Sequence, residues 1–146
     1  MNQNDNTLSL KLFVVLARAH KVVAEHVKND IQRYGLNPTE FGVLDLLYHK
    51  GAQPIQQIGE KILLTSGSMT YVIDKLEEKG YIVRKRCEKD RRITYAVITE
   101  KGKALMDNIF PQHTEKITEL FQTLSIEEKA EAIELLKKIG LSLKPL

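Results

Sequence analysis

Apolar positions recur at helical spacing through the first quarter of the chain, where Leu8, Leu12, Val15, Leu16, Ala19, Val22, Val23, Val27 and Ile31 form one stripe. The stripe predicts a helix from about residue 8 to 34, closed by Gly35 and about 40 Å long at 1.5 Å per residue. Asn37-Pro38-Thr39-Glu40 then supplies an N-cap, a proline at the first helical position and a carboxylate at the third. A second helix is predicted from there through Phe41, Val43, Leu44, Leu46 and Leu47 to Gly51. Pro54 to Ile62 reads as a short helix with Ile55, Ile58 and Ile62 on one side, and Leu63-Leu64-Thr65 as the turn into a helix over 66–79. In that helix Met69, Val72, Ile73 and Leu76 make the core stripe, Gly67, Tyr71, Asp74 and Glu78 point the other way, and Gly80 ends it. From Tyr81 to Thr99 the period changes to two. Tyr81, Val83, Tyr95 and Val97 recur at that spacing, as on the half-buried face of a hairpin whose tip is Glu88 to Arg92. Thr99-Glu100-Lys101-Gly102 opens a helix through Leu105, Met106, Ile109 and Phe110 that is expected to bend near Pro111. Ser125-Ile126-Glu127-Glu128 is a capping box for the last helix, which carries Ala132, Ile133, Leu135, Leu136 and Ile139.

The elements describe one mainly α (α+β) domain over residues 1–146: a winged helix-turn-helix at about 37–99 between long helices at about 7–34 and 100–143. At 146 residues such a chain buries roughly 68 to 70% of its unfolded surface and folds without staples. A lone Cys87 excludes an internal disulfide framework. It is either a candidate reactive thiol beside Arg86 and Lys85 or an incidental small residue. His20, His26, His49 and His113 show no close ligand spacing, so no metal or other cofactor is expected. Asp45 and His49 share a helix face, as a surface hydrogen-bonding pair also would. Glycine-rich phosphate loops, His-Glu-x-x-His and Gly-x-Ser-x-Gly are all missing, so an enzyme is not expected. Met1 to Thr7 is polar and no apolar run reaches about 18 residues, which predicts a cytoplasmic protein with no membrane partner.

Charge changes the picture at the hairpin. Arg84, Lys85, Arg86, Lys89, Arg91 and Arg92 oppose only Glu88 and Asp90, a balance of six minus two, or +4, in a chain whose total is +3. A ribbon of that charge attracts a polyanion backbone. Lysine and arginine guarding an edge strand would look the same. The preceding segment separates the two readings, because Ile62 to Ile73 contains no charged side chain. Acids normally gather in the first turn of a helix, against the positive end of its dipole. Here Thr65 or Ser66 caps, and Gly67, Ser68, Thr70 and Tyr71 follow, an N-terminal end that can enter a groove without repelling phosphate. Ser66, Ser68, Thr70 and Tyr71 are therefore expected at bases or nearby phosphates, and Gln56, Gln57, Lys75, Arg84, Lys85 and Arg86 on the backbone. The expected partner is double-stranded DNA; a winged-helix module that binds protein or RNA is the alternative.

The flanking helices leave Leu8, Leu12, Phe110, Ile117, Leu120, Phe121, Leu136, Ile139, Leu141 and Leu143 in need of burial. They pack on one another within a monomer or interleave with a second copy. A symmetric pair also suits a palindromic operator, so a homodimer is expected.

Leu63 to Ser68, Leu76-Glu77-Glu78-Lys79-Gly80-Tyr81-Ile82, and Asp90-Arg91-Arg92 through Thr99-Glu100-Lys101-Gly102 together resemble the MarR family of winged-helix regulators over nearly the whole chain. Within it, Leu36 to Phe41, Tyr48-His49-Lys50-Gly51 and Gln56-Gln57-Ile58-Gly59 are most similar to regulators of hydroquinone and quinone resistance in Gram-positive bacteria. The resemblance implies a homodimeric DNA-binding regulator, usually a repressor, released by a small aromatic or oxidising signal. It further implies that Arg92 enters the minor groove with Asp90 bracing its guanidinium. Peroxide-sensing members carry a cysteine in the first long helix; none stands there in this chain, so a thiol switch at that site is not expected. A ligand cleft is expected between the first long helix, the second helix and the winged unit. Phe13, Leu16, Ala17, His20, Phe41, Leu44 and Tyr48 are candidates for its wall, none of them assigned as a contact.

Overall fold

The computed structural model describes residues 2–62 and 69–143. Helix α1 (Gln3–Gln32) begins five residues before the apolar stripe, because the Asn2 side chain accepts from the Asn4 amide and caps a first turn that has no core face. Gly35, with φ +78°, turns the chain into α2 (Pro38–Lys50). The predicted capping box is present: Asn37 accepts from the Glu40 amide at 2.8 Å and Glu40 accepts from the Asn37 amide at 3.0 Å.

Strand β1 (Gln53–Pro54) leads into α3 (Ile55–Lys61). After it come α4 (Met69–Glu78), β2 (Ile82–Arg86) and β3 (Thr94–Ile98). Helix α5 (Glu100–Leu120) carries Pro111 within it. A proline costs that turn one amide bond without ending the helix. Helix α6 (Ile126–Leu143) starts at the predicted Ser125–Glu128 box.

The sheet is antiparallel in the order β1-β3-β2, with Ile82 opposite Ile98 and Gln53 opposite Ala96. β1 was not foreseen, since its two residues end in a proline that lacks an amide to pair. The hairpin also faces the other way from the alternation read in the sequence. Ile82, Ala96 and Ile98 are buried, whereas Val83 is exposed. Both faces carry apolar residues, and contact with the helices chooses between them. The core lies under the winged unit, where Val43, Leu44, Leu47, Ile58, Ile73 and Leu76 meet Met106 and Ile109 of α5.

The outer helices stay largely uncovered. Residues 3–22 of α1 are exposed, and α6 buries none of its described residues. Among the described residues no helix is long and apolar enough to cross a membrane.

Candidate nucleic-acid interface

Three elements form the candidate face: α3, α4, and the wing formed by β2 and β3. Gln56 and Gln57 are exposed on α3, and the Gln56 amide donates to the Arg92 carbonyl at 3.5 Å, tying α3 to the wing tip. On α4, Val72, Ile73 and Leu76 are buried as the stripe predicts, which turns Thr70 and Tyr71 outward. The Lys75 ammonium lies 5.4 Å from the centre of the Tyr71 ring and 3.4 Å from Glu78. Thr65, Ser66, Gly67 and Ser68, expected to begin this helix, lie outside the described residues.

At the wing tip Arg92 is 90% exposed yet held in one direction. Its Nε and Nη2 each donate to Asp90 at 3.0 Å, and its backbone amide donates to the same carboxylate at 3.1 Å. This is a bidentate fork, which fixes a guanidinium that would otherwise be a long mobile side chain. The arginine in turn holds the Asp90 carboxyl below its ordinary pKa. Lys85, Arg86, Lys89 and Arg91 are exposed around it.

Arg84, expected on the DNA backbone, is engaged within the chain. Its side chain is 30% exposed, and its Nη2 donates to Asp74 at 2.6 Å while Nη1 donates to Glu77. Its backbone amide also donates to Glu77, at 3.3 Å. Those carboxylates raise its pKa, Asp74 first. Arg84 shares the inward face of β2 with Ile82, so it reaches α4 and joins wing to helix. That partnership spans two elements, and only the side on which the hairpin packs reveals it.

The far end of α4 is tied down as well. Lys79 pairs with the buried Glu40 at 2.8 Å and donates to the Gly35 carbonyl at 3.3 Å. The Thr99 hydroxyl donates to Gly80 O and the Lys101 ammonium to Lys79 O, each at 2.7 Å. Gly102 lies so close behind them that an added Cβ would fall inside contact with the Tyr81 carbonyl oxygen and 2.7 Å from Ile98 Cγ1. Thus the Thr-x-x-Gly start of α5 is a packing requirement.

A cavity of about 590 Å³ lies between α1, α2 and α5, walled in part by His20, Phe41, Asp45, His49 and His113. Of the wall candidates, His20 and Phe41 line it. Leu44 is core, Phe13, Leu16 and Ala17 are exposed on α1, and Tyr48 instead donates to Asp107 of α5. His49 Nδ1 lies 3.0 Å from Asp45 Oδ1. Among the described residues no three His, Cys, Asp or Glu side chains group as a metal site would require.

A short helix packed before an outward-facing second helix, with a basic ribbon beside it, is the architecture of a winged helix-turn-helix DNA-binding regulator of transcription. The sequence pattern of the MarR family matches residues 36–94. The chain is 56% identical over 136 residues to the HTH-type transcriptional regulator MhqR of Bacillus subtilis, covering 93% of this chain and 94% of that one. It is 47% identical over 140 residues to the uncharacterized HTH-type transcriptional regulator YkoM of the same organism, covering 96% and 91%. Its fold matches Sco3205, a MarR family transcriptional regulator from Streptomyces coelicolor solved in complex with DNA, with TM-score 0.82 at 19% identity, covering 99% of this chain and 91% of that one. The chain belongs to the MarR family, whose members are transcriptional regulators and not enzymes.

Proposed function

We propose that two copies of the chain, joined through α1, α5 and α6, bind a palindromic operator as a repressor in the cytoplasm and leave it when a small aromatic molecule of quinone or phenol type occupies the cavity. The N-terminal end of α4 would enter the major groove, with Thr70 and Tyr71 toward bases or nearby phosphates. Arg92 would enter the minor groove, with Arg91, Lys85, Arg86, Gln56 and Gln57 along the backbone. The observation that carries this reading is the Asp90-held fork of Arg92, 90% exposed at the tip of a wing that Gln56 ties to α3. The uncovered apolar residues of α1 and α6, among them Leu12 and Leu136, support self-association. Two helix tips about one DNA turn apart, roughly 34 to 36 Å, suit an inverted repeat.

A ligand can lower DNA affinity only by binding better to a dimer geometry that misaligns the two tips; a coupling of about 1 to 3 kcal/mol changes affinity roughly 5- to 150-fold. The cavity, at about 590 Å³ and faced by Phe41, is of a size that takes such a molecule.

The test is fluorescence anisotropy on a duplex spanning the chain's own upstream region, at rising salt and with a panel of quinols and phenols. A steep loss of affinity with salt, a footprint over an inverted repeat and release by a panel member are expected. Shallow salt dependence with no preference over random duplex would point instead to an RNA or protein partner and overturn the reading.

A further inference from the structure

Asp30 is the most deeply buried charged residue of α1, its side chain 1% exposed. Its Oδ1 accepts from Arg33 at 2.6 Å and from the Tyr34 hydroxyl at 3.3 Å. Its Oδ2 has no hydrogen-bond partner. Opposite it, 3.6 Å away on α5, stands His113 Nδ1, which is buried and also has no hydrogen-bond partner. That separation is an ion-pair distance just beyond a hydrogen bond. Two buried unpaired polar atoms facing each other are rare and costly, and a proton on Nδ1 satisfies both once the ring closes by about half an ångström. The His113 ring also leans on Phe41, with ring centres 4.5 Å apart, and lines the cavity.

We propose that Asp30 holds the proton of His113 on Nδ1, so that Nε2 is left as a hydrogen-bond acceptor for a ring hydroxyl in the cavity. The inference rests on the cavity being the effector site and names the chemistry read there: an aromatic molecule that carries a donor. The hydrogen bond made by one ring nitrogen sets the role of the other, so the carboxylate acts as a positioning residue. Nδ1 is buried while His113 keeps 16% of its side chain exposed, so ring atoms other than Nδ1 remain accessible. Asp45 and His49 form a second carboxylate–imidazole pair at the same cavity. They are one turn apart on one helix, and although Asp45 Oδ1 is buried without a hydrogen-bond partner, His49 Nδ1 also lies 3.0 Å from the Asp45 backbone carbonyl, so that ring nitrogen already has a partner on its own helix. Lys50 and Lys61 at the rim are exposed, and Lys61 is committed to Gln53 at 2.7 Å.

The test compares phenol with fluorobenzene, a ring of nearly the same size without the donor, by NMR titration of the full-length protein at about pH 8, above the usual histidine range. In the same spectra ¹⁵N shifts show which nitrogen of His113 bears the proton. Phenol is expected to bind roughly tenfold tighter than fluorobenzene, the worth of one hydrogen bond. The preference should vanish in His113→Phe, which keeps an aromatic ring against Phe41. Asp30→Asn should reduce it and move the proton toward Nε2. If both rings bind equally to the wild type, or His113 carries its proton on Nε2 there, the proposal is overturned while the cavity remains an aromatic site. If neither ring binds, the effector reading fails and this inference fails with it.

Discussion

Replacing Arg84 by methionine separates a structural cation from a DNA-binding one. Arg84 makes charge-assisted hydrogen bonds to Asp74 and Glu77, and its side chain is 30% exposed against 53% and 39% for theirs. Such bonds contribute about 1.5 to 3 kcal/mol when buried, and exposed ion pairs about 0.2 to 1 kcal/mol. With both acceptors more than a third in water, the pair of contacts should contribute about 1 to 2 kcal/mol. At fixed protein concentration Arg84→Met should therefore lower the melting temperature by roughly 3 to 6 °C. DNA affinity should fall because the wing loses its anchor on α4, but the salt dependence should not, since no phosphate contact is lost. Arg92→Ala should do the opposite. It leaves the melting temperature unchanged and removes one cation per protomer, two in the dimer, which lowers the slope of log K against log salt by about 1.8. Between about 50 and 200 mM salt the wild type should lose roughly twelvefold more affinity than this variant. Calorimetry and anisotropy on one duplex read both quantities. A reduced slope in Arg84→Met with an unchanged melt would refute the reasoning and return Arg84 to the phosphates.

The Asp90 carboxyl sits below its ordinary value because Arg92 donates to it. Its brace is therefore complete above about pH 4 and is lost only as pH falls through that lowered value. Asp90→Asn should weaken DNA binding by a constant factor between pH 5.5 and 8, measured by anisotropy; a deficit that grows across that window would contradict the brace. Gly102→Ala should destabilise the protein by about 1 to 3 kcal/mol despite alanine's better helix propensity, because a backbone carbonyl stands where the methyl must go. Urea denaturation would show this, and an unchanged midpoint would not be compatible with the packing. Leu12→Asp combined with Leu136→Asp should halve the mass seen by light scattering while keeping helical circular dichroism, since both side chains are uncovered in the single chain.

Local chemistry was readable from the residues where short-range rules decide it. Asn37 and Glu40 close the start of α2, Ser125 and Glu128 that of α6, and Gly35, Gly51 and Gly80 turn with positive φ. The helix-turn-helix and the wing followed from period and charge. What stayed hidden depends on partners distant in the chain. The inward face of the hairpin could not be chosen by counting, because Tyr81, Val83, Tyr95 and Val97 compete with Ile82, Ala96 and Ile98 on similar terms. The pairing of Arg84 was hidden for the same reason, since a residue on the inward face meets Asp74 and Glu77 of α4. Asp30 and His113 come together across 83 positions of sequence, and neither sits in a pattern that advertises the other.

The junction at Gly102 makes a long stiff arm of α5. Its N-cap and first turn are tied to the Lys79 and Gly80 carbonyls just beyond α4, and its 21 residues span about 32 Å. Tilting such an arm by about 6° about its far end carries the tied end sideways by about 3 Å, close to the 3.4 Å rise from one nucleotide to the next. An angular change too small to disturb any helix can therefore put the wing and α4 out of step with the double helix by a full base pair.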